Sequence, residues 1–378
     1  MKLLVVSHAC ITPVNQAFYA EIEKLTGWRI TLVLPSAWRT GYSAPAAVSR
    51  WKDFHGSIHP LPVWKPGNIP LHLYKNSFLQ LLRSEQPDVI YMHHEPYGLA
   101  TFQVFLANRL TVRCPIGFYA AQNIAKSYPF PIRWMESQVL AEASFCFPVT
   151  QGALSILRAR GYRGAAQVLP LAIDPGLYHP MPEWAAGRRA ALGIGPAEFV
   201  VGYLGRLVEE KGIDTLLRAL ATIPEKPWRC VLAGSGPHEQ TLRAHAAALG
   251  IADRILFPGY VPHEEAPGWL SLFDVLTLPS ETRPHWKEQF GRVLTEANAC
   301  GTVVIGSDSG EIPGVIADTG GGIVFPEGNV QALAAAVNLL IDHPGRRDDL
   351  ARLGAESVRE RYDQSYLASR FIATIPSP

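Results

Sequence analysis

Trp286-Lys287-Glu288-Gln289-Phe290-Gly291-Arg292-Val293-Leu294-Thr295-Glu296 is the stretch that decides the reading of this chain. It sets two carboxylates, Glu288 and Glu296, eight residues apart with a Phe-Gly step between them. Leu294, Ala297 and Cys300 follow at three-residue spacing, and Gly301 ends the pattern. That predicts a helix opening near Gly291, with Glu288 just before it and Glu296 inside it. Eight helical residues rise roughly 12 Å, which suits two contacts on one elongated ligand and is too long for a shared proton. The N-terminus of such a helix offers unpaired backbone N–H groups, an anion site between the two acids. A ligand with hydroxyls at both ends and phosphate in the middle fits that order, as a sugar nucleotide does. The plain alternative is a surface helix carrying two solvated acids, and the stretch alone does not separate the two.

On both sides of this stretch, strand-like apolar runs alternate with helix-period segments, the pattern of an α/β fold with parallel sheets. Strands are expected at residues 3–7, 30–34, 89–92, 116–119 and 145–149, and again at 199–204, 229–233, 255–258, 275–278 and 303–305. Helical periodicity lies between them, for example at 71–83, 99–110 and 132–143. Residues 35–70 break the rhythm. They are rich in Pro, Gly and Ser and carry Trp38, Tyr42, Trp51 and Trp64. This segment is either an acceptor-binding or membrane-touching flap, or a long loop pinned by its aromatics. Residues 180–196 look like a linker to the second series. Two doubly wound, Rossmann-like halves facing each other across a cleft are the simplest assembly. Ligands are expected at the carboxyl ends of the strands.

The chain has 378 residues, comfortable for two domains, with 48% hydrophobic and 18% charged residues, as in packed globular enzymes. No apolar run reaches the length of a membrane span. The opening Met1-Lys2-Leu3-Leu4-Val5-Val6-Ser7-His8 reads as a buried strand and not as a signal peptide. The five scattered cysteines lack any C-x-x-C spacing, so a reduced, cytoplasmic protein without structural zinc is expected. Charge is uneven: residues 1–180 hold 16 Lys and Arg against 9 Asp and Glu (+7), and the remainder 18 against 24 (−6), to the net +1. A basic first half points either to an anionic partner, such as a phosphate-bearing acceptor or the inner face of a membrane, or to scattered surface charge. No dense Lys/Arg cluster is present, so nucleic acid is not expected as a partner.

Gly205-Arg206-Leu207-Val208-Glu209-Glu210-Lys211-Gly212 follows the strand at 199–204. It is neither a P-loop nor a G-x-G-x-x-G fingerprint, but it places Arg206 and Lys211 in a glycine-flanked turn that can hold a diphosphate. Gly234-Ser235-Gly236-Pro237 and Ser307-Asp308-Ser309-Gly310-Glu311-Ile312-Pro313 are further strand-to-helix turns. The first of these either approaches a ligand or simply starts the next helix.

With these turns and the Glu288/Glu296 pair, most of residues 199–328 resembles the nucleotide-binding domain of glycosyltransferase family 4, retaining enzymes of GT-B architecture. Gln122-Asn123, Pro129-Phe130-Pro131 and Val168-Leu169-Pro170 in the first half resemble the same family more loosely. The resemblance implies an N-terminal acceptor-side domain over 1–174, a C-terminal nucleotide-sugar domain over 175–361, and a segment 362–378 crossing back through Tyr366, Leu367 and Phe371. It implies that Arg206 and Lys211 bind the donor diphosphate, Glu288 the sugar hydroxyls and Glu296 the ribose. Backbone around Phe290, Gly291 and Arg292 would cradle sugar and phosphate, next to Gly205 and Gly234. No metal ligand set and no cofactor is expected beyond the UDP- or GDP-linked sugar.

Many members of that family carry a histidine on the loop after a central strand. Here the corresponding stretch reads Tyr119-Ala120-Ala121-Gln122-Asn123. His94 and Glu95, in His93-His94-Glu95-Pro96, are the remaining candidates to orient an acceptor hydroxyl or take its proton. The expected activity is metal-independent, retaining transfer of a hexose to a glycan, lipid-linked or small-molecule acceptor. A sugar-nucleotide epimerase or hydrolase, or an inactive binding protein, are the alternatives.

Overall fold

The computed structural model describes residues 1–38, 46–75 and 78–376. The chain forms two compact units, one from Met1–Ala172 with Gln364–Pro378 and the other from Ile173–Asp363.

The first unit holds a seven-stranded sheet in the order Ala165–Ala166, Phe145–Pro148, Ile116–Ala120, Val89–Met92, Lys2–Val6, Arg29–Pro35, Ser57–Leu61. Every pairing is parallel. Side chains alternate across a strand, and here both faces are covered, so the strands read as unbroken apolar runs. Leu3 and Val5 enter one core with Ile30, Leu32 and Leu34, while Leu4 and Val6 enter another with Ile90 and Met92. The last helix, Gln364–Thr374, lays Leu367, Ala368 and Phe371 into the first of these cores, with Phe371 stacked on Phe147 at 4.6 Å between ring centres. Tyr366, expected to pack alongside them, is 45% exposed, because the face of the helix that meets the sheet carries the other three.

The described part of residues 35–70 carries more strand structure than its composition suggests. Ser57–Leu61 joins the sheet as its edge strand, where Pro60 leaves no ladder bond unmade. Trp38 is buried and Trp51 packs on the core, so these two aromatics pin the segment, whereas Trp64 is 62% exposed. Tyr42 lies outside the described residues. The helix expected from residue 71 is described only over Phe78–Glu85. Leu73–Tyr74 instead pairs antiparallel with Val63–Trp64, and the Gln103 amide bonds both backbone groups of Tyr74, at 2.9 and 3.1 Å. That tertiary contact outweighs the local helical periodicity.

The second unit holds a six-stranded parallel sheet in the order Ile255–Gly259, Trp228–Ala233, Phe199–Leu204, Val275–Leu278, Val303–Ser307, Gly322–Phe325. In each sheet the chain begins near the middle, builds outward, and returns to the other side of its first strand. The order therefore reverses between Lys2–Val6 and Val89–Met92, and between Phe199–Leu204 and Val275–Leu278. Loops part at such a reversal and leave a crevice outside the carboxyl ends of the strands. Among the described residues no helix is long and apolar enough to cross a membrane.

Candidate functional site

In the second unit both halves of the Glu288–Glu296 motif gather at the sheet reversal. Glu288 Oε2 accepts hydrogen bonds from Lys211 Nζ at 2.6 Å and from Ser280 Oγ at 3.0 Å. Ser280 comes straight off Val275–Leu278, and Lys211 off the turn after Phe199–Leu204, so the pair straddles the crevice. Lys211 and Glu288 side chains are 14% and 11% exposed, and the ammonium sits 5.1 Å from the centre of the Trp286 ring. At that burial their ionic contact is screened little by water.

Glycine chemistry sets the loops this close. Glu281 N donates to Glu210 O at 2.9 Å, joining the two crevice loops. Gly212 has φ +63, and a Cβ there would stand 2.0 Å from Pro279 O. Behind the site, Glu311 N donates to Glu288 O at 3.1 Å, and a Cβ on Gly310 would stand 2.0 Å from that same oxygen. Gly234 is packed on Gly205, where a Cβ would meet Gly205 O at 1.8 Å. Its need for glycine therefore comes from the neighbouring turn.

The helix after the motif runs Arg292–Ala299, with Gly291 at its N-cap in the left-handed region, φ +77, where glycine is the unstrained choice. Phe290 is buried, so its ring belongs to the core and is not offered to a ligand. Glu296 is buried one turn beyond Arg292, whose Nε lies 2.9 Å from Glu296 Oε1. Among the described residues that Nε has no hydrogen-bond partner of acceptable geometry, so the contact is an ion pair alone. Tyr178 Oη lies 3.2 Å from His263 Nε2, and burial first and the nearby Glu296 charge second hold its phenol above the ordinary range. Arg206 is exposed, and its carbonyl accepts from Tyr203 Oη at 2.7 Å. Its guanidinium makes no ion pair or hydrogen bond among the described residues.

In the first unit the other reversal carries the polar cluster. His94 Nδ1 lies 3.0 Å from His8 Nδ1, joining the ends of the two strands that part there. One of the two nitrogens must hold a proton for this contact to be attractive. Burial, aided by His72 and His93 nearby, lowers the His8 pKa to about 3, so the ring is neutral at ordinary pH. His94 is 2% exposed, and its Nε2 has no hydrogen-bond partner among the described residues. Glu95 Oε1 accepts from Ala121 N at 2.8 Å, whereas its Oε2 is buried without a hydrogen-bond partner among the described residues. Burial pushes the Glu95 carboxyl up to about 7, opposed by the N–H groups of Ala121 and Gln122.

Tyr178, near Glu296, and His72, beside His94, carry no local pattern that marks them, whereas Ser280 and His8 each follow two residues after a strand that borders a reversal. Among the described residues no group of three or more His, Cys, Asp or Glu could hold a metal ion.

Residues 188–357 match the family model described as "Glycosyl transferases group 1". Over 192 residues the chain is 35% identical to the GDP-mannose-dependent alpha-(1-6)-phosphatidylinositol monomannoside mannosyltransferase of Mycolicibacterium smegmatis, covering 50% of each chain. The match thus spans about half the length of that relative. It is 26% identical over 327 residues to the alpha-D-kanosaminyltransferase of Streptomyces kanamyceticus, covering 83% of this chain and 82% of the relative. Among solved structures, Anabaena Alr3699/HepE in complex with UDP superposes with a TM-score of 0.77 at 20% identity over 99% of both chains. The fold is that of the GT-B glycosyltransferases.

Proposed function

We propose that the chain is a glycosyltransferase that moves a hexose, with retention of configuration and without a metal, from a UDP- or GDP-linked donor. The observation that carries this is the Lys211–Glu288 pair, 2.6 Å apart beside the N-terminus of Arg292–Ala299, with Glu296 further along the same helix. The named relatives above are themselves transferases, one of them GDP-mannose-dependent.

Breaking a sugar–phosphate bond drives negative charge onto the leaving diphosphate while the sugar becomes cationic. Arg206, Lys211 and the free N–H groups of the helix start meet the growing negative charge, and so favour the transition state over the ground state. Glu288 receives sugar hydroxyls, and Glu296, buried and ion-paired with Arg292, receives the ribose. The test is nucleotide release from a panel of UDP- and GDP-sugars, with and without EDTA and acceptors. Release that needs an acceptor and survives EDTA is expected, and release without any acceptor would make the protein a hydrolase.

On the first unit, His94 and Glu95 are proposed to act on the acceptor hydroxyl, Glu95 through its unpartnered Oε2. A carboxyl with its pKa raised to about 7 becomes a base only as pH rises through that value, so the rate should climb across pH 6–8. Glu95→Gln should remove that limb and lower kcat by about 10²–10⁴. The sign for stability is opposite. Folded protein keeps the proton that the unfolded chain loses near 4.5, so this group's contribution falls as pH rises from 4.5 to about 7. An unchanged pH profile in Glu95→Gln would leave the residue only its hydrogen bond to Ala121.

A further inference from the structure

A pocket of about 260 Å³ opens in the first unit beside the loop that follows Ile116–Ala120. Lys126, Ser127 and Tyr128 line it from that loop, Arg133 and Glu136 from the helix Ile132–Glu142, and Arg160 from beyond Gln151–Ala159. Three cations thus meet one carboxylate. That carboxylate is already taken, since Glu136 is buried and paired with Arg160. Arg160 is further anchored by donating to Lys126 O at 2.6 Å and by lying 4.9 Å from the centre of the Tyr128 ring. Lys126 and Arg133 have no salt-bridge partner among the described residues. The pocket therefore carries two uncompensated positive charges around a rigid third, with Ser127 as a further donor. A planar guanidinium fork with an ammonium beside it matches the oxygens of a phosphate.

The surroundings add a second constraint. Phe130 is 76% exposed and Trp134 is 47% exposed, on the residues between and beside the basic ones. The Tyr128 ring also lies tilted against that of Tyr97, two residues after Glu95, with 4.8 Å between ring centres, and Arg160 is close enough to act on the Glu95 carboxyl electrostatically. The pocket thus lies near the group proposed to meet the acceptor hydroxyl.

We infer that this pocket binds the phosphate of a phosphate-bearing acceptor, with Lys126 and Arg133 as its ligands and Arg160 as their fixed support. The inference rests on the reading of the protein as a transferase with Glu95 at the acceptor, and it narrows the acceptor to an anionic, phosphorylated class. The phosphate is either that of a soluble ester or that of a lipid headgroup, with Phe130 and Trp134 against the chain.

The experiment is calorimetric titration of the full chain with glycerol 3-phosphate and with glycerol, at saturating UDP or GDP so that the donor site does not compete. In parallel, flotation with phosphatidylcholine vesicles is compared with and without phosphatidylinositol. Glycerol 3-phosphate should bind and glycerol should not. Lys126→Ala and Arg133→Ala should each weaken binding roughly tenfold, and Lys65→Ala, a basic surface change outside the pocket, should leave it as it was. Flotation only with phosphatidylinositol, lost in the double variant Lys126→Ala/Arg133→Ala, would identify the lipid source. Thermal unfolding of each variant separates misfolding from loss of a ligand. Phosphate binding unchanged in the double variant, or no binding of either probe, would overturn the inference. Nucleotide binding to the unsubstituted protein, measured in the same series, reports separately whether the donor reading stands.

Discussion

Lys211→Ala should lower nucleotide release from the donor by about 10²–10³-fold, the size of effect seen when one preorganised donor to a developing negative charge is removed. The same change leaves Glu288 nearly buried without its cation, a loss of about 3–5 kcal/mol for a broken buried pair. Glu288→Gln should also abolish most turnover, but with less destabilisation, because the amide keeps the shape and can still bond Ser280, now 3.0 Å from the carboxylate. Activity and stability can therefore be pulled apart. The double variant Lys211→Met/Glu288→Gln, which removes both charges, should recover much of the stability and none of the turnover. Measured side by side, thermal unfolding and nucleotide release decide the matter. If the double variant turned over donor at the original rate, the pair would be a structural ion pair only.

Gly310→Ala tests the site without touching any group proposed to meet the donor. Gly310 has φ +59, which costs an alanine roughly 1–2 kcal/mol, and its new Cβ would fall 2.0 Å from Glu288 O. That oxygen is backbone and cannot swing aside, so the Glu288 loop must move, carrying the carboxylate away from Lys211. A displacement of about 1 Å is enough for a loss of about 10²-fold in rate. Gly314→Ala, four residues on, is the control. It lies in the helix Ile312–Thr319, where an added methyl would meet nothing within 4 Å, so turnover should be unchanged and stability equal or better by about 0.5–1 kcal/mol. Equal turnover in the two variants would detach the Ser309–Glu311 loop from the site.

The second unit is the more legible of the two because its signals are local. The strands Phe199–Leu204 and Val275–Leu278 and the helix start at Gly291 follow from apolar runs and a positive-φ glycine, each set within a few residues. Where local pattern and structure part, a distant contact outweighs local preference. Leu73–Tyr74 leaves a helical pattern for a ribbon held by Gln103, and Ser57–Leu61 becomes an edge strand despite Pro60. Pro313, placed at the end of the Ser307–Pro313 turn, already lies in the first turn of the helix Ile312–Thr319, a position where proline's missing N–H costs nothing.

Sequence by itself determined the alternation of strands and helices, the places where only glycine can turn the chain, and the two acids set along one helix start. Periodicity and φ are properties of neighbouring residues, so these features needed no partner. Only the tertiary structure decided which charge answers which. Lys211 meets Glu288 across 77 residues, His8 meets His94 across 86, and Tyr178 meets His263 across 85. Those meetings depend on the order of strands in each sheet. The reversal beside its first strand brings together loops from distant parts of the chain, and no local pattern encodes that adjacency. At Glu288 through Glu296, the spacing was written in the chain, and the ion pair that gives Glu288 its place was made by the sheet.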